Sequence, residues 1–246
     1  GQGTALVGLL NAFWESKGVA NAEEFRQFSA PVVPLARFSK AVYKNNEQFT
    51  ADIEIANYSS EEINNKNIKW ALTNASGQPL QEGIIPLTNI KIGGGNIAGK
   101  ISCSLSEVKK AERLALRVSI ENSSYKNTWN IWVYPATLTI EKEEIVVTDK
   151  LTETQKALAA GKTVLFNPPY QLCAGLQGKF VPVFWSPVHF PKQAGTMGLL
   201  LDPTHKAFAH FPTEGHTNWQ WWSLTTQSRT LVIDSIYQHI TPLVEC

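Results

Sequence analysis

Charge is scarce in this 246-residue sequence, and what there is cancels: 22 lysines and arginines stand against 21 aspartates and glutamates, a formal net charge of +1 at pH 7. No basic stripe is available to neutralise phosphates, so nucleic acid is not expected as a partner. Cysteine is equally sparse. Cys103, Cys173 and Cys246 are odd in number and far apart, which argues against a disulfide framework. No apolar run approaches the roughly 20 residues that a bilayer-spanning helix needs, and no membrane partner is expected. The first residues lack the Lys/Arg flank and apolar run of an export signal. What remains is 43% hydrophobic and 17% charged residues, a soluble folded protein with room for two ordinary domains.

Aromatic residues, by contrast, are concentrated. Between Phe180 and Trp222 fall four of the eight tryptophans and four of the five histidines. Indole faces stack on sugar rings and imidazoles donate to hydroxyls, yet the same side chains fill cores when their N–H groups find partners. Packing is the preferred reading, with Trp185 expected to be buried. If a sugar-contacting surface exists, its candidates are Trp185, His216, Trp219, Trp221 and Trp222. The interleaved Pro182, Pro187 and Pro191 with Phe184, Trp185 and Phe190 suggest an irregular extended segment.

Along the chain the hydrophobic period changes twice. Leu6, Leu9, Leu10, Phe13 and Trp14 recur at helical spacing, with Gly18 as the stop. A second short helix follows, its capping box formed by Asn21 and Glu24, and Pro31 and Pro34 force an extended passage. From about Val42 the period becomes two: Phe49, Ala51, Ile53 and Ile55 face one way, and Ile68-Trp70-Leu72, Leu114-Leu116-Val118-Ile120 and Trp129-Ile131-Val133 repeat the pattern. Turn signals separate them at Asn45-Asn46, Asn64-Asn65, Ser76-Gly77, Gly93-Gly94-Gly95 and Asn122-Ser123. About seven half-buried strands over residues 39–139 predict an antiparallel, immunoglobulin-like β-sandwich.

Beyond Pro135 the pattern is strand (Ile145-Val146-Val147), helix, glycine (Gly161) and buried strand (Thr163 to Phe166), a β-α-β unit that implies a parallel sheet. Thr152 and Gln155 read as a capping box, and Leu199 to Leu201 and Leu231 to Ile233 as further strands. Residues 140–246 therefore read as an incomplete flavodoxin-like α/β domain. The fold class is mixed: short N-terminal helices over 1–38, the β-sandwich, then this α/β layer.

Few residues suit catalysis. Glu23-Glu24 serves a helix start, Glu61-Glu62 a turn, and Glu143-Glu144 flanks a strand. Asp202 and Glu214 sit in the aromatic block, but Asp202 precedes Pro203 and looks like a turn former. No catalytic residue is assigned. His189, His205, His210 and His216 lack the H-x-H and H-E-x-x-H spacings that place two imidazoles on one face, so no metal and no cofactor are expected. Gly93 to Gly95 precedes a strand rather than a helix and offers phosphate no helix N-terminus.

Three blocks carry a resemblance: GQGTALVGLLNAFWESKG with EEFRQF and PVVPLARF (1–38), WNIWVYP (129–135), and GKFVPVFWSPVHFP with GLLLDPTHKAF and FPTEGHTNWQWW (178–222). Together they resemble the C-terminal part of a glycoside hydrolase family 2 β-galactosidase-like protein. The resemblance implies the end of a (β/α)8 barrel over 1–38, then the sandwich, then an amidotransferase-like or trimerisation-like domain. It implies an exported parent enzyme whose two catalytic glutamates lie on barrel strands upstream of Gly1. Cys173 in QLCAGLQG is similar to an amidotransferase nucleophile, but Gln171 stands where that elbow has glycine. Thr213-Glu214-Gly215-His216 also reverses the His-x-Glu order, so Cys173 is expected to be an inert buried thiol. The expected function is a non-catalytic accessory region of such a hydrolase, supporting the barrel or oligomerisation in carbohydrate metabolism, with a second copy of the chain as a candidate partner through the N-terminal helices. The alternative is a self-standing carbohydrate-binding module with glycans as partners.

Overall fold

A computed structural model describes residues 8–138, 145–178, 198–235 and 240–245, without the side chain of Thr88. The chain divides into two compact units, Gly1–Ala136 with Ala209–Pro212, and Thr137–Phe208 with Thr213–Cys246. The described structure is mostly β-sheet with three short α-helices, and its sheets are antiparallel and mixed rather than closed into a barrel.

In the first unit the expected capping box is present at helix α1 (Ala22–Phe28): Asn21 accepts from the Glu24 N–H, and the Glu24 carboxylate accepts from that of Asn21. The helix expected before it does not form in the described part. Asn11 Oδ1 accepts from the backbone N–H groups of Phe13 (2.8 Å) and Glu15 (3.0 Å), closing a turn whose arms meet at a Leu10–Ser16 bridge. An asparagine that offers the backbone this alternative competes directly with helix hydrogen bonds.

Eight strands follow: β1 (Val32–Arg37), β2 (Val42–Lys44), β3 (Gln48–Asn57), β4 (Ile63–Thr73), β5 (Pro79–Ile90), β6 (Gly93–Ser104), β7 (Glu112–Ile120) and β8 (Lys126–Tyr134). They form a three-stranded sheet in the order β1-β3-β6 and a five-stranded sheet in the order β2-β8-β7-β4-β5. Pro34 sits in β1, an edge strand, where a missing N–H is tolerated. All these pairings are antiparallel except β2 with β8, so the larger sheet is mixed. The period-two reading is met: Phe49, Ala51, Ile53 and Ile55 join Ile68, Leu72, Leu114, Leu116, Val118, Ile131 and Val133 in one core drawn from both sheets. Two expected turns are strand instead. Asn64-Asn65 lies within β4, with Asn65 at φ 51°, and Gly93 to Gly95 open β6, where positive φ values of 121° and 73° at Gly93 and Gly95 suit glycine. Asn57, wholly buried at the end of β3, binds the Glu61 carbonyl and both the N–H and hydroxyl of Ser59.

In the second unit the β-α-β element is present. Strand β9 (Ile145–Thr148) pairs in parallel with β10 (Thr163–Phe166), joined by helix α2 (Leu151–Ala159). Gly161, at φ 70°, ends the helix as expected. Thr152 and Gln155 form no capping box, because the helix starts at Leu151. Thr148 serves the start instead, accepting from the Lys150 N–H (3.1 Å) and donating to Glu153 (2.7 Å). Strand β10 is only partly covered, with Leu165 exposed, rather than buried. Leu200–Leu201 (β11) pairs antiparallel with Val244–Glu245 (β12), whereas Leu231 to Ile233 is not strand. The described residues thus form two separate two-stranded sheets here, not a continuous parallel one.

Candidate functional site

The tryptophan-rich end of the sequence folds as a turn of 3-10 helix (Trp219–Trp221) running directly into helix α3 (Trp222–Thr226). Asn218 starts it, its side-chain oxygen accepting from the Gln220 N–H at 3.2 Å. The Asn218 amide in turn donates to the Glu214 carboxylate. The Trp222 N–H bonds the Trp219 carbonyl, the three-residue closure of a 3-10 turn, in which side chains three apart eclipse. Trp219 and Trp222 therefore share a face. They are 62% and 49% exposed, while Trp221 between them is 7% exposed.

Trp221 holds this turn to its unit. Its indole N–H donates to Thr213 Oγ1 at 2.9 Å, and its ring meets Phe208 edge-on at 5.7 Å. A buried indole with a satisfied N–H is the arrangement that makes tryptophan stabilising rather than costly. Of the sequence candidates, then, Trp219 and Trp222 are exposed three residues apart on the turn and Trp221 is an anchor. His216 is exposed in a bridge with Leu200, and Trp185 lies outside the described residues, as do His189, Glu143 and Glu144. Sequence reasoning missed Asn218 and Thr213. The asparagine immediately before the tryptophan run was a readable start signal; nothing marked Thr213.

Several described carboxylates are engaged as turn and surface groups. Asp202 accepts from the N–H and hydroxyl of Thr204, which lowers its pKa. Glu23 pairs with Lys126, and Glu62 accepts from Asn89. Cys173 is buried, its thiol 3.7 Å from the Pro169 carbonyl. Among the described residues no three His, Cys, Asp or Glu side chains gather as metal ligands, and no helix is long and apolar enough to cross a membrane.

A second exposed aromatic feature lies in the first unit. The Asn11–Glu15 turn is closed by Asn11 N–H to Glu15 carbonyl (2.9 Å) and Trp14 N–H to Asn11 carbonyl (3.1 Å). It presents Phe13 and Trp14, 73% and 84% exposed, with Val19 and Phe28 also on the surface.

Residues 47–135 match a family described as Domain of unknown function (DUF8488), and residues 146–246 match Domain of unknown function (DUF8487). No curated protein matches. Among solved structures, the chain shows slight likeness to the alkylpurine DNA glycosylase AlkC of Pseudomonas fluorescens (10% identity, TM-score 0.31, 43% of this chain and 31% of that one). It also shows weak similarity to a beta-glucuronidase of Parabacteroides merdae (10%, 0.28, 42% and 13%) and to a family 123 glycoside hydrolase from Clostridium perfringens (12%, 0.24, 43% and 25%). In each case the likeness spans less than a third of the other protein's length.

Proposed function

We propose that this chain is a non-catalytic accessory region of a β-galactosidase-like glycoside hydrolase, seated against the catalytic part of that enzyme through residues 8–28. In this reading the first unit is an immunoglobulin-like sandwich and the second unit a flavodoxin-like, amidotransferase-like domain. One observation carries the reading: Phe13, Trp14, Val19 and Phe28 are all 63% exposed or more, on a stretch whose turn is locked by its own hydrogen bonds. Several large apolar groups exposed within one short stretch mark a surface meant to be covered. The resemblance of this block to the end of a (β/α)8 barrel supplies the cover. Left uncovered, the same surface supports self-association into a homo-oligomer.

The reading frame holding this chain is expected to encode such a barrel. Co-expressed as a separate polypeptide, the barrel should co-purify with the chain, and Phe13→Ser with Trp14→Ser should abolish the association. The pure chain should hydrolyse neither aryl β-galactosides nor aryl β-glucosides. Turnover by the chain alone, or association indifferent to the double substitution, would overturn the proposal. A second reading, a self-standing carbohydrate-binding module, is favoured by the exposure of Trp219 and Trp222.

A further inference from the structure

The Trp219–Trp222 face differs from the N-terminal surface in size, charge and support, and these three properties specify what it fits. Two indoles of roughly 150–250 Å² each, 62% and 49% exposed, offer on the order of 150–300 Å² of flat apolar surface, against about 800 Å² per partner in a stable protein interface. Leu224 is also exposed, but it stands two residues beyond Trp222 and so on another side of the helix. The face is therefore too small to hold a folded partner by itself and large enough for small rings.

Charge narrows the choice. Residues 215–228 contain no Lys, Arg, Asp or Glu, so the turn itself carries no cation for a phosphate or a carboxylate, and the Glu214 carboxylate bonded to Asn218 at its start would repel both. Its own exposed polar side chains hydrogen-bond: Ser223 and Gln227, with the exposed His216 three residues before Trp219. Support is the third property. The turn that carries the pair is tied down by Trp221 on Thr213 and Phe208, and at its start by Asn218. A pyranose ring with equatorial hydroxyls presents a face of C–H groups with slight positive charge, which suits the negative face of an indole, while its rim of hydroxyls suits neutral donors and acceptors.

We infer that Trp219 and Trp222 form a two-ring platform for adjacent sugars of a neutral β-linked oligosaccharide, one pyranose on each indole. The site lies on the solvent face of the turn and needs no other chain. The inference rests on the carbohydrate-binding reading and adds to it the joint role of the two indoles, the neutral ligand and the dependence on chain length.

The test is calorimetric titration of the full chain with cellotetraose and with β-1,4-galactotetraose, beside glucose and galactose. One tetraose should bind, its monosaccharide at least tenfold more weakly. Trp219→Ala and Trp222→Ala should each weaken the tetraose tenfold or more with the melting temperature unchanged. Trp219→Phe, which keeps a ring, should restore part of the affinity. Equal affinity for monosaccharide and tetraose overturns the platform, as does tetraose binding indifferent to both alanine variants. The second of these outcomes leaves the carbohydrate-binding reading in place. No binding of either tetraose, with a glycan array also blank, removes both.

Discussion

Gly83 stands directly opposite Trp70 in the β4–β5 ladder, and the Trp70 indole lies so close across it that a Cβ on Gly83 would come within 2.8 Å of the ring. The partly buried Trp70 packs on the common core, so the ring has little room to move. Glycine here is a packing requirement, not a turn.

Gly83→Ala should therefore destabilise the protein by about 1–3 kcal/mol, although alanine ordinarily suits a strand better than glycine. Urea unfolding measures it. In a Trp70→Ala background the cost of Gly83→Ala should largely vanish, since the clash has gone; an undiminished cost would show that the cause is elsewhere.

The three clustered tryptophans should separate by stability. Trp221→Ala should cost about 3–5 kcal/mol in unfolding of the second unit, because it empties a buried indole site. Trp221→Phe should cost less, losing chiefly the bond to Thr213, worth about 1 kcal/mol. Trp219→Ala should stay within about 0.5 kcal/mol of the parent.

Cys103 is buried in β6, and burial pushes its thiol up to about 11. At pH 8 it should resist iodoacetamide until the chain unfolds, which mass spectrometry across a urea series would reveal. The sign of the pH effect follows. Above the ordinary thiol range the unfolded chain loses this proton while the folded one keeps it, so stability should fall as pH rises from about 8.5 towards 11. Cys103→Ala should reduce that fall.

Arg37 in β1 grips Glu54 in β3 with two bonds, Nε to Oε1 at 2.6 Å and a second guanidinium N–H to Oε2 at 2.9 Å. The hydrogen bond and charge of Arg37 hold the Glu54 carboxyl below its ordinary range. Its contribution is present above the unfolded carboxylate range and is lost as pH falls through the folded value. Glu54→Gln should therefore make stability less steep between about pH 5 and pH 3. An unchanged acid limb in chemical unfolding would contradict this.

Much of the first unit was written in local pattern. Alternation at Phe49–Ile55 and Leu114–Ile120 fixed which faces are buried, because a strand's side chains have only two directions. Asn21 and Glu24 fixed the start of α1, since a cap is a contact between near neighbours. The same holds for Gly161 after α2. Leu9 to Trp14 misled for a related reason: helical spacing ignores that Asn11 bonds the backbone more effectively as a turn. The Gly93–Gly95 run misled because a glycine cluster reads as a loop, whereas its positive φ values open β6.

The sequence by itself determined the neutral charge balance, the burial faces of the strands, the β-α-β connection and the set of aromatic candidates. Each depends on residue identity or on neighbours a few positions away. Tertiary structure alone decided the parallel pairing of β2 with β8, the split of the described part of the second unit into two small sheets, and the division of labour at Trp219, Trp221 and Trp222. Exposure of an indole is not a property of the indole. Trp221 is buried because Thr213 and Phe208, eight and thirteen positions away, fold back to meet it, and Trp219 and Trp222 face solvent because a turn of 3-10 helix places them together on its other side.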